Sequence, residues 1–220
     1  MSHRATGVRL RQHVNPLSRT FQREITVPEW SSIYANPAQP LHLDIGSARG
    51  SFLLQMAALY PEQNFLGLEI RYPLVVAANE RRDRYQLSNL HYLWANANVH
   101  LGALLENLPL QTVSIQFPDP WFKRRHHKRR VVTPELVDTL ARQLCPNGRV
   151  VLQSDVLEVT VAMVAQFRAH PAFAASPADW LSESPWPVAT EREEYVLAQG
   201  LPVYRWQGQA FPKDAVIPSK

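Results

Sequence analysis

At 220 residues and 25.1 kDa, with 45% apolar and 19% charged residues, the chain has the size and composition of one globular domain and not of a disordered protein. A net charge of +4 and a pI near 9.4 favour an anionic partner, and a single cysteine, Cys145, excludes an intramolecular disulfide and fits a reducing compartment. No apolar stretch approaches a membrane span and no secretory leader pattern opens the chain, so a cytoplasmic protein without membrane contact is expected.

Met1 to Pro40 is polar and basic, carrying Arg4, Arg9, Arg11, Arg19 and Arg23, and reads as a partly ordered arm ahead of a single domain, 41–220. Its arginines would add phosphate contacts. Leu41 to Ile45 is an apolar strand, and Ser51 to Leu59 a helix ended by Pro61. The loop between them reads Asp44-Ile45-Gly46-Ser47-Ala48-Arg49-Gly50. Gly46 permits a tight turn, and Gly50 lets the helix pack on the sheet. Phe65 to Ile70 is the second strand, and Glu69 near its end follows Gly50 by 69 − 50 = 19 residues. That is about the ~20-residue spacing at which an acidic side chain meets a ribose diol.

A pyrophosphate would want three glycines in this loop, and Asp44 beside it would repel one. A carboxylate suits a cationic ligand, and S-adenosylmethionine carries both a sulfonium and an ammonium. A helix from about Leu74 to Tyr85 leads to the third strand, Leu90 to Ala95. Asn96 at its end is placed to read an adenine edge through its amide, or to cap the next helix. That helix is expected around Leu101 to Leu108.

Thr112 to Phe117 is the fourth strand, and it runs into Pro118-Asp119-Pro120-Trp121-Phe122. Two prolines restrict the backbone on both sides of Asp119 and aim it from the strand end, where open α/β sheets place their ligands. Phe117, Trp121 and Phe122 offer stacking surfaces for a nucleobase. Lys123 to Arg130 then holds six Lys or Arg among eight residues, more than the net charge of the whole chain. A charge run by itself is most simply a solvated surface. Joined to the Pro-Asp-Pro-Trp turn, it points to a nucleic acid held by its phosphates beside a carboxylate that meets the base. The neighbouring histidines His126 and His127 sit among cations that would repel a metal, and none is expected.

A helix from Pro134 to Leu144, a turn at Pro146 to Gly148, a fifth strand from Arg149 to Gln153 and a helix from Val156 to Ala169 complete the alternation. Strands alternating with helices imply an α/β fold with a doubly wound, mostly parallel sheet of the Rossmann-like methyltransferase type. Beyond Pro171 the pattern fades, although Thr190 followed by Glu193 marks a helix start.

These motifs together resemble the bacterial tRNA (guanine-N7)-methyltransferases, which act on a variable-loop guanosine. The resemblance rests on Val8 to Leu17, Asp44 to Gly50, Gly67-Leu68-Glu69, Phe117 to Trp121 with Lys123, Arg125, His126, Lys128, Arg129 and Arg130, Ser154-Asp155, Thr190 to Glu193, and Pro202 to Arg205. It implies a cofactor, S-adenosylmethionine, held by Asp44, Gly46, Glu69, Asn96 and Asp119, and a tRNA held by Lys123, Asp155, Thr190 and Glu193. Asp119 is the expected catalytic residue, with Asp155 the second candidate, and a monomer or homodimer is expected. The chain departs from the family pattern at Ala48, where a glycine is usual, at Asn96, where an acid is usual, and at Ser154, where threonine is common. The residues alone also admit a methyltransferase acting on another base or amine, or a non-catalytic RNA-binding module.

Overall fold

Leu41–Ile45 (β1) is buried at all five positions, as a strand with neighbours on both edges and cover on both faces must be. The computed structural model describes residues 14–173 and 180–210, so Arg4, Arg9, Arg11 and the stretch from Val8 to His13 lie outside the described residues. After a short helix at Trp30–Ile33 (α1) and β1, the order is Ser51–Leu59 (α2), Asn64–Glu69 (β2), Tyr72–Arg84 (α3), Leu90–Trp94 (β3), Ala97–Leu104 (α4) and Leu110–Gln116 (β4). There follow Pro134–Gln143 (α5), Leu144–Ser154 (β5), Leu157–Ala169 (α6), Trp180–Leu181 (β6), Glu191–Ala198 (α7) and Tyr204–Gln209 (β7).

The seven strands lie in the order β3-β2-β1-β4-β5-β7-β6. The first five pair in parallel, while β7 runs antiparallel to β5 and β6 antiparallel to β7. The sheet is therefore doubly wound and mostly parallel, as expected. It winds one way from β1 to β2 and the other from β1 to β4. That reversal opens a crevice beyond the carboxyl ends of those strands.

Alternation along β1 sends Leu41, Leu43 and Ile45 to one face, packed with α1, α4, α5 and α6. His42 turns to the other face, where its ring meets Phe52, Phe65 and Trp186. Residues ahead of β1 are built into the first face. Trp30 donates its indole N–H to the Leu104 carbonyl at 3.1 Å, and Tyr34 donates its hydroxyl to the Phe65 carbonyl at 3.0 Å.

Most boundaries shift by a residue or two from the sequence expectation, and the larger differences lie at α4, β5 and the tail. Helix α4 starts at Ala97 because Asn96 caps it, accepting from the Asn98 N–H at 3.2 Å, and it ends at Leu104. Strand β5 begins already at Leu144, and its register then jumps from Leu110↔Leu144 to Thr112↔Arg149 across the Pro146 to Gly148 turn. The tail supplies α7 and the antiparallel strand β7, which the fading periodicity left undefined.

Candidate active site

A cleft of about 860 Å³, open to solvent, lies over the carboxyl ends of β1, β2, β3 and β4. Gly46, Glu69, Arg71, Asn96, Gln116 and Asp119 contribute to its wall, and Val14 and Pro16 of the arm close one side.

The first loop is shaped by positive φ angles, +87° at Gly46 and +77° at Gly50. A Cβ on Gly46, which lines the cleft, would meet nothing within 4 Å. A Cβ on Gly50 would sit 2.6 Å from the Tyr92 ring, whose hydroxyl donates to the Gly50 carbonyl at 2.5 Å. Ala48 holds φ at +49°, a left-handed conformation in which its Cβ is strained. Its N–H donates to Glu69 Oε2 at 2.9 Å, so the strain is held by a bond to the next strand. Ala48→Gly is expected to stabilise the fold by about 0.5–1 kcal/mol, read from urea unfolding midpoints.

Glu69 is buried and accepts four hydrogen bonds. The backbone N–H and Nε of Arg71 reach Oε1 at 2.9 and 3.0 Å, Arg71 Nη2 reaches Oε2 at 3.1 Å, and the Ala48 N–H completes the set. A ribose diol at this carboxylate would have to exchange with the Arg71 guanidinium. Arg71 was not foreseen in the sequence, because only the folded turn brings its guanidinium back over Glu69. Its charge also meets that of Asp119.

Asp44 lies behind the cleft wall, 4% exposed, with Oδ1 accepting from Ser114 Oγ at 2.6 Å and from Gln116 Nε2 at 3.2 Å. Because the Ser114 hydroxyl donates to Asp44, it accepts from His42 Nε2 at 2.9 Å, which fixes the tautomer of that buried ring. Burial pushes the Asp44 pKa up to about 6, with the Glu69 charge adding to the rise and the Ser114 and Gln116 bonds opposing it. The folded protein therefore binds this proton more tightly than the unfolded chain does. Stability is lost as pH climbs from 3.8 to about 6, and the full cost remains above that window. Asp44→Asn should add up to about 3 kcal/mol to unfolding free energy near pH 8 and almost none near pH 4. Urea titrations at the two pH values check this.

Asn96 has a structural occupation in addition to its place in the cleft wall. Its amide nitrogen donates to the carbonyls of Pro16 and Phe21 at 3.1 and 3.3 Å, and His100 Nε2 meets the Arg23 carbonyl at 2.8 Å. The amide expected at an adenine edge thus holds the arm and caps α4. A carboxylate could not donate to those carbonyls, which gives the Asn96 departure a physical reason.

At the end of β4 the backbone is strained on both sides of Asp119. Phe117 has φ +48° and Trp121 has φ +43°, conformations costing bulky residues about 1–3 kcal/mol each. The Phe117 N–H donates to the Gln153 carbonyl at 2.8 Å, and Arg130 Nε donates to the Pro120 carbonyl at 3.1 Å, so both ends of the turn are tied. Asp119 is half-buried and forms part of the cleft wall. Trp121 carries the Arg129 guanidinium 5.0 Å from its ring centroid and meets His126 edge-on, so much of the expected stacking surface packs against the tract itself. Phe122 is 66% exposed.

The cationic run folds as two turns of 3₁₀ helix, Arg124–Arg129, and divides in two. Lys123, Arg124, Arg125 and Lys128 are exposed, whereas Arg129 stacks on Trp121 and Arg130 pairs with Glu158 at 3.1 Å.

Asp155 follows β5 and accepts from Arg192 at 2.5 Å. Thr190 caps α7 by accepting from the Glu193 N–H at 3.1 Å. Glu193 is 1% exposed and pairs with the buried Arg205 at 2.6 Å. The fold thus gathers Gly46, Glu69, Asn96 and Asp119 around one cleft, sets Asp44 behind it, and holds Lys123, Asp155 and Thr190 outside the cleft wall. Glu193 it turns inward, against the expectation of a direct substrate contact. Among the described residues no group of three or more His, Cys, Asp or Glu side chains is gathered as a metal site.

Residues 38–206 match a family model described as "Putative methyltransferase". A tRNA (guanine-N(7)-)-methyltransferase of Thermosynechococcus vestitus is 75% identical over 207 residues, covering 94% of this chain and 97% of that protein. Its counterpart in Synechococcus elongatus is 58% identical, covering 90% and 94%. Among solved structures, a 16S rRNA (adenine(1408)-N(1))-methyltransferase from Catenulisporales acidiphilia with cosubstrate SAM aligns with TM-score 0.59 at 12% identity, covering 89% of this chain and 96% of that one. The 16S rRNA methyltransferase KamB aligns with TM-score 0.57 at 15% identity, covering 86% and 96%. At such identities the structural likeness speaks for the fold alone.

Proposed function

The chain belongs to the tRNA (guanine-N(7)-)-methyltransferase family, and from that premise we propose that its cleft methylates the variable-loop guanosine of tRNA at N7 with Asp119 as the catalytic residue. The observation that carries the reading is the strained, doubly tied Pro118-Asp119-Pro120 turn, which sets a carboxylate in the cleft wall beside an exposed cationic turn.

The residues present fit S-adenosylmethionine. The open space over Gly46 admits a ligand beside the backbone, Glu69 offers a carboxylate to a ribose, and Asp44 sets a negative charge behind the wall for a cationic amine. When bound, that cofactor supplies an electrophilic methyl group on a good leaving group. Guanine N7 has a free lone pair and no proton, so the protein need not supply a base. Its task is to orient the base and to offset the positive charge that the purine gains. Asp119 does both, because a fixed carboxylate can accept from guanine N–H donors and sits where the turn holds it. Asp155, on the neighbouring strand end, supports substrate placement through Arg192. Lys123, Arg124, Arg125 and Lys128 hold phosphates, and Thr190 fixes the start of α7.

No described helix is long and apolar enough to cross a membrane, and action in the cytoplasm, where tRNA is found, is part of this reading. Nucleoside analysis of unmodified tRNA after incubation with the protein and S-adenosylmethionine tests it. The expected product is 7-methylguanosine. A different methylated nucleoside would overturn the target, and no methylation with tRNA binding intact would favour a binding module.

A further inference from the structure

Both oxygens of Glu193 are committed inside the protein. Oε1 accepts from Arg205 at 2.6 Å, and Oε2 accepts from Gln153 Nε2 at 3.1 Å and from the Thr190 N–H at 3.4 Å. The same Gln153 nitrogen donates to Gln116 Oε1 at 2.8 Å, and Gln116 Nε2 donates to Asp44 Oδ1 at 3.2 Å. A chain of hydrogen bonds thus runs from helix α7 through β5 and β4 to the carboxylate on β1.

Its direction is fixed by its ends. Ionised carboxylates only accept, so Gln116 must turn its NH₂ group towards Asp44 and its oxygen towards Gln153. Gln153 must then present NH₂ to Gln116, and its second N–H falls to Glu193. The Gln153 oxygen is left buried with no partner, on a residue that is 0% exposed. Flipping that amide would set its oxygen against both Gln116 Oε1 and Glu193 Oε2. The two terminal carboxylates enforce a sense that the middle residue alone would not choose.

We propose that Glu193, Gln153 and Gln116 are positioning residues for Asp44, so that the buried Glu193 acts on the cofactor side of the site and not as an RNA contact. The proposal rests on the reading that Asp44 holds the cofactor. A neutral residue at 193 would let Gln153 turn over and Gln116 with it, bringing an oxygen against Asp44.

The test is calorimetric binding of S-adenosylmethionine to the full chain without RNA, with tRNA binding measured separately without cofactor. The variants are Gln116→Met, Gln153→Met, their double mutant, Glu193→Gln and Asp44→Asn. Gln116→Met is expected to weaken cofactor binding about tenfold, as the loss of a hydrogen bond to a charged group does. Gln153→Met and Glu193→Gln should weaken it severalfold, the double mutant should be no worse than Gln116→Met, and tRNA affinity should stay within about twofold. Should Glu193→Gln not fold, Gln153→Met cuts the same link without stranding Arg205.

If Glu193→Gln weakens tRNA and spares the cofactor, Glu193 serves the RNA and the proposal falls. It falls also if the effects of the two glutamine variants multiply, since independent packing would do that. If Asp44→Asn binds cofactor normally, the reading of Asp44 fails and the relay goes with it. Loss of binding in Asp44→Asn with normal binding in all three relay variants would overturn the relay alone.

Discussion

Asp119→Asn should lower turnover by about 10²- to 10³-fold while leaving tRNA affinity unchanged within about twofold. The substitution keeps the size of the side chain and the two flanking prolines, so the strained turn between Phe117 and Trp121 should persist. It removes the charge and turns one acceptor into a donor. A neutral amide cannot offset positive charge arising in the purine, and its NH₂ would oppose the N–H donors of guanine. Phosphate contacts on the exposed cations are untouched, which is why binding should survive. Single-turnover methylation beside a filter-binding titration separates the two effects. Normal chemistry in the variant would remove Asp119 from the catalytic role.

The second large effect is expected on the cationic turn. Replacing Arg124, Arg125 and Lys128 together by Gln should weaken tRNA binding by about 10- to 100-fold near physiological salt. It should also reduce the slope of log K against log salt by roughly two to three, since that slope counts neutralised phosphates. These side chains are exposed and the fold does not lean on them. Arg130→Gln should behave differently, because Arg130 grips the Pro120 carbonyl beside Asp119 and pairs with Glu158. Its loss should lower turnover more than affinity. Equal effects on binding at both kinds of position would contradict the division of the tract.

The alternation of strands and helices from Leu41 to Ala169 was legible because each element there carries its own local pattern, and the sheet order follows from parallel crossovers. The place of Asp119 in the cleft wall was legible for the same reason: two prolines, an aromatic and a cationic run are all adjacent in sequence. What escaped was whatever depends on distant partners. Gln116 and Gln153 look like ordinary strand residues until β4 and β5 lie side by side, and Arg71 reads as a surface cation until the turn returns it to Glu69. Asn96 was placed correctly at a strand end, and its capping role was foreseen. Its hold on the arm was not, because Pro16 and Phe21 are about 80 residues away in sequence. Glu193 shows the limit of a motif most clearly. Thr-x-x-Glu marked a helix start, but only Arg205 on β7 and Gln153 on β5 show that the glutamate points inward. Strand β7 itself was hidden by the polar residues between its buried positions, Arg205, Trp206 and Gly208.

The most direct test of the account is transfer of labelled methyl from S-adenosylmethionine to an unmodified tRNA transcript, run beside the same transcript with its variable-loop guanosine changed to adenosine. The account predicts label on the first and none on the second. Equal label on both would contradict it, leaving a methyltransferase whose target lies elsewhere in the RNA.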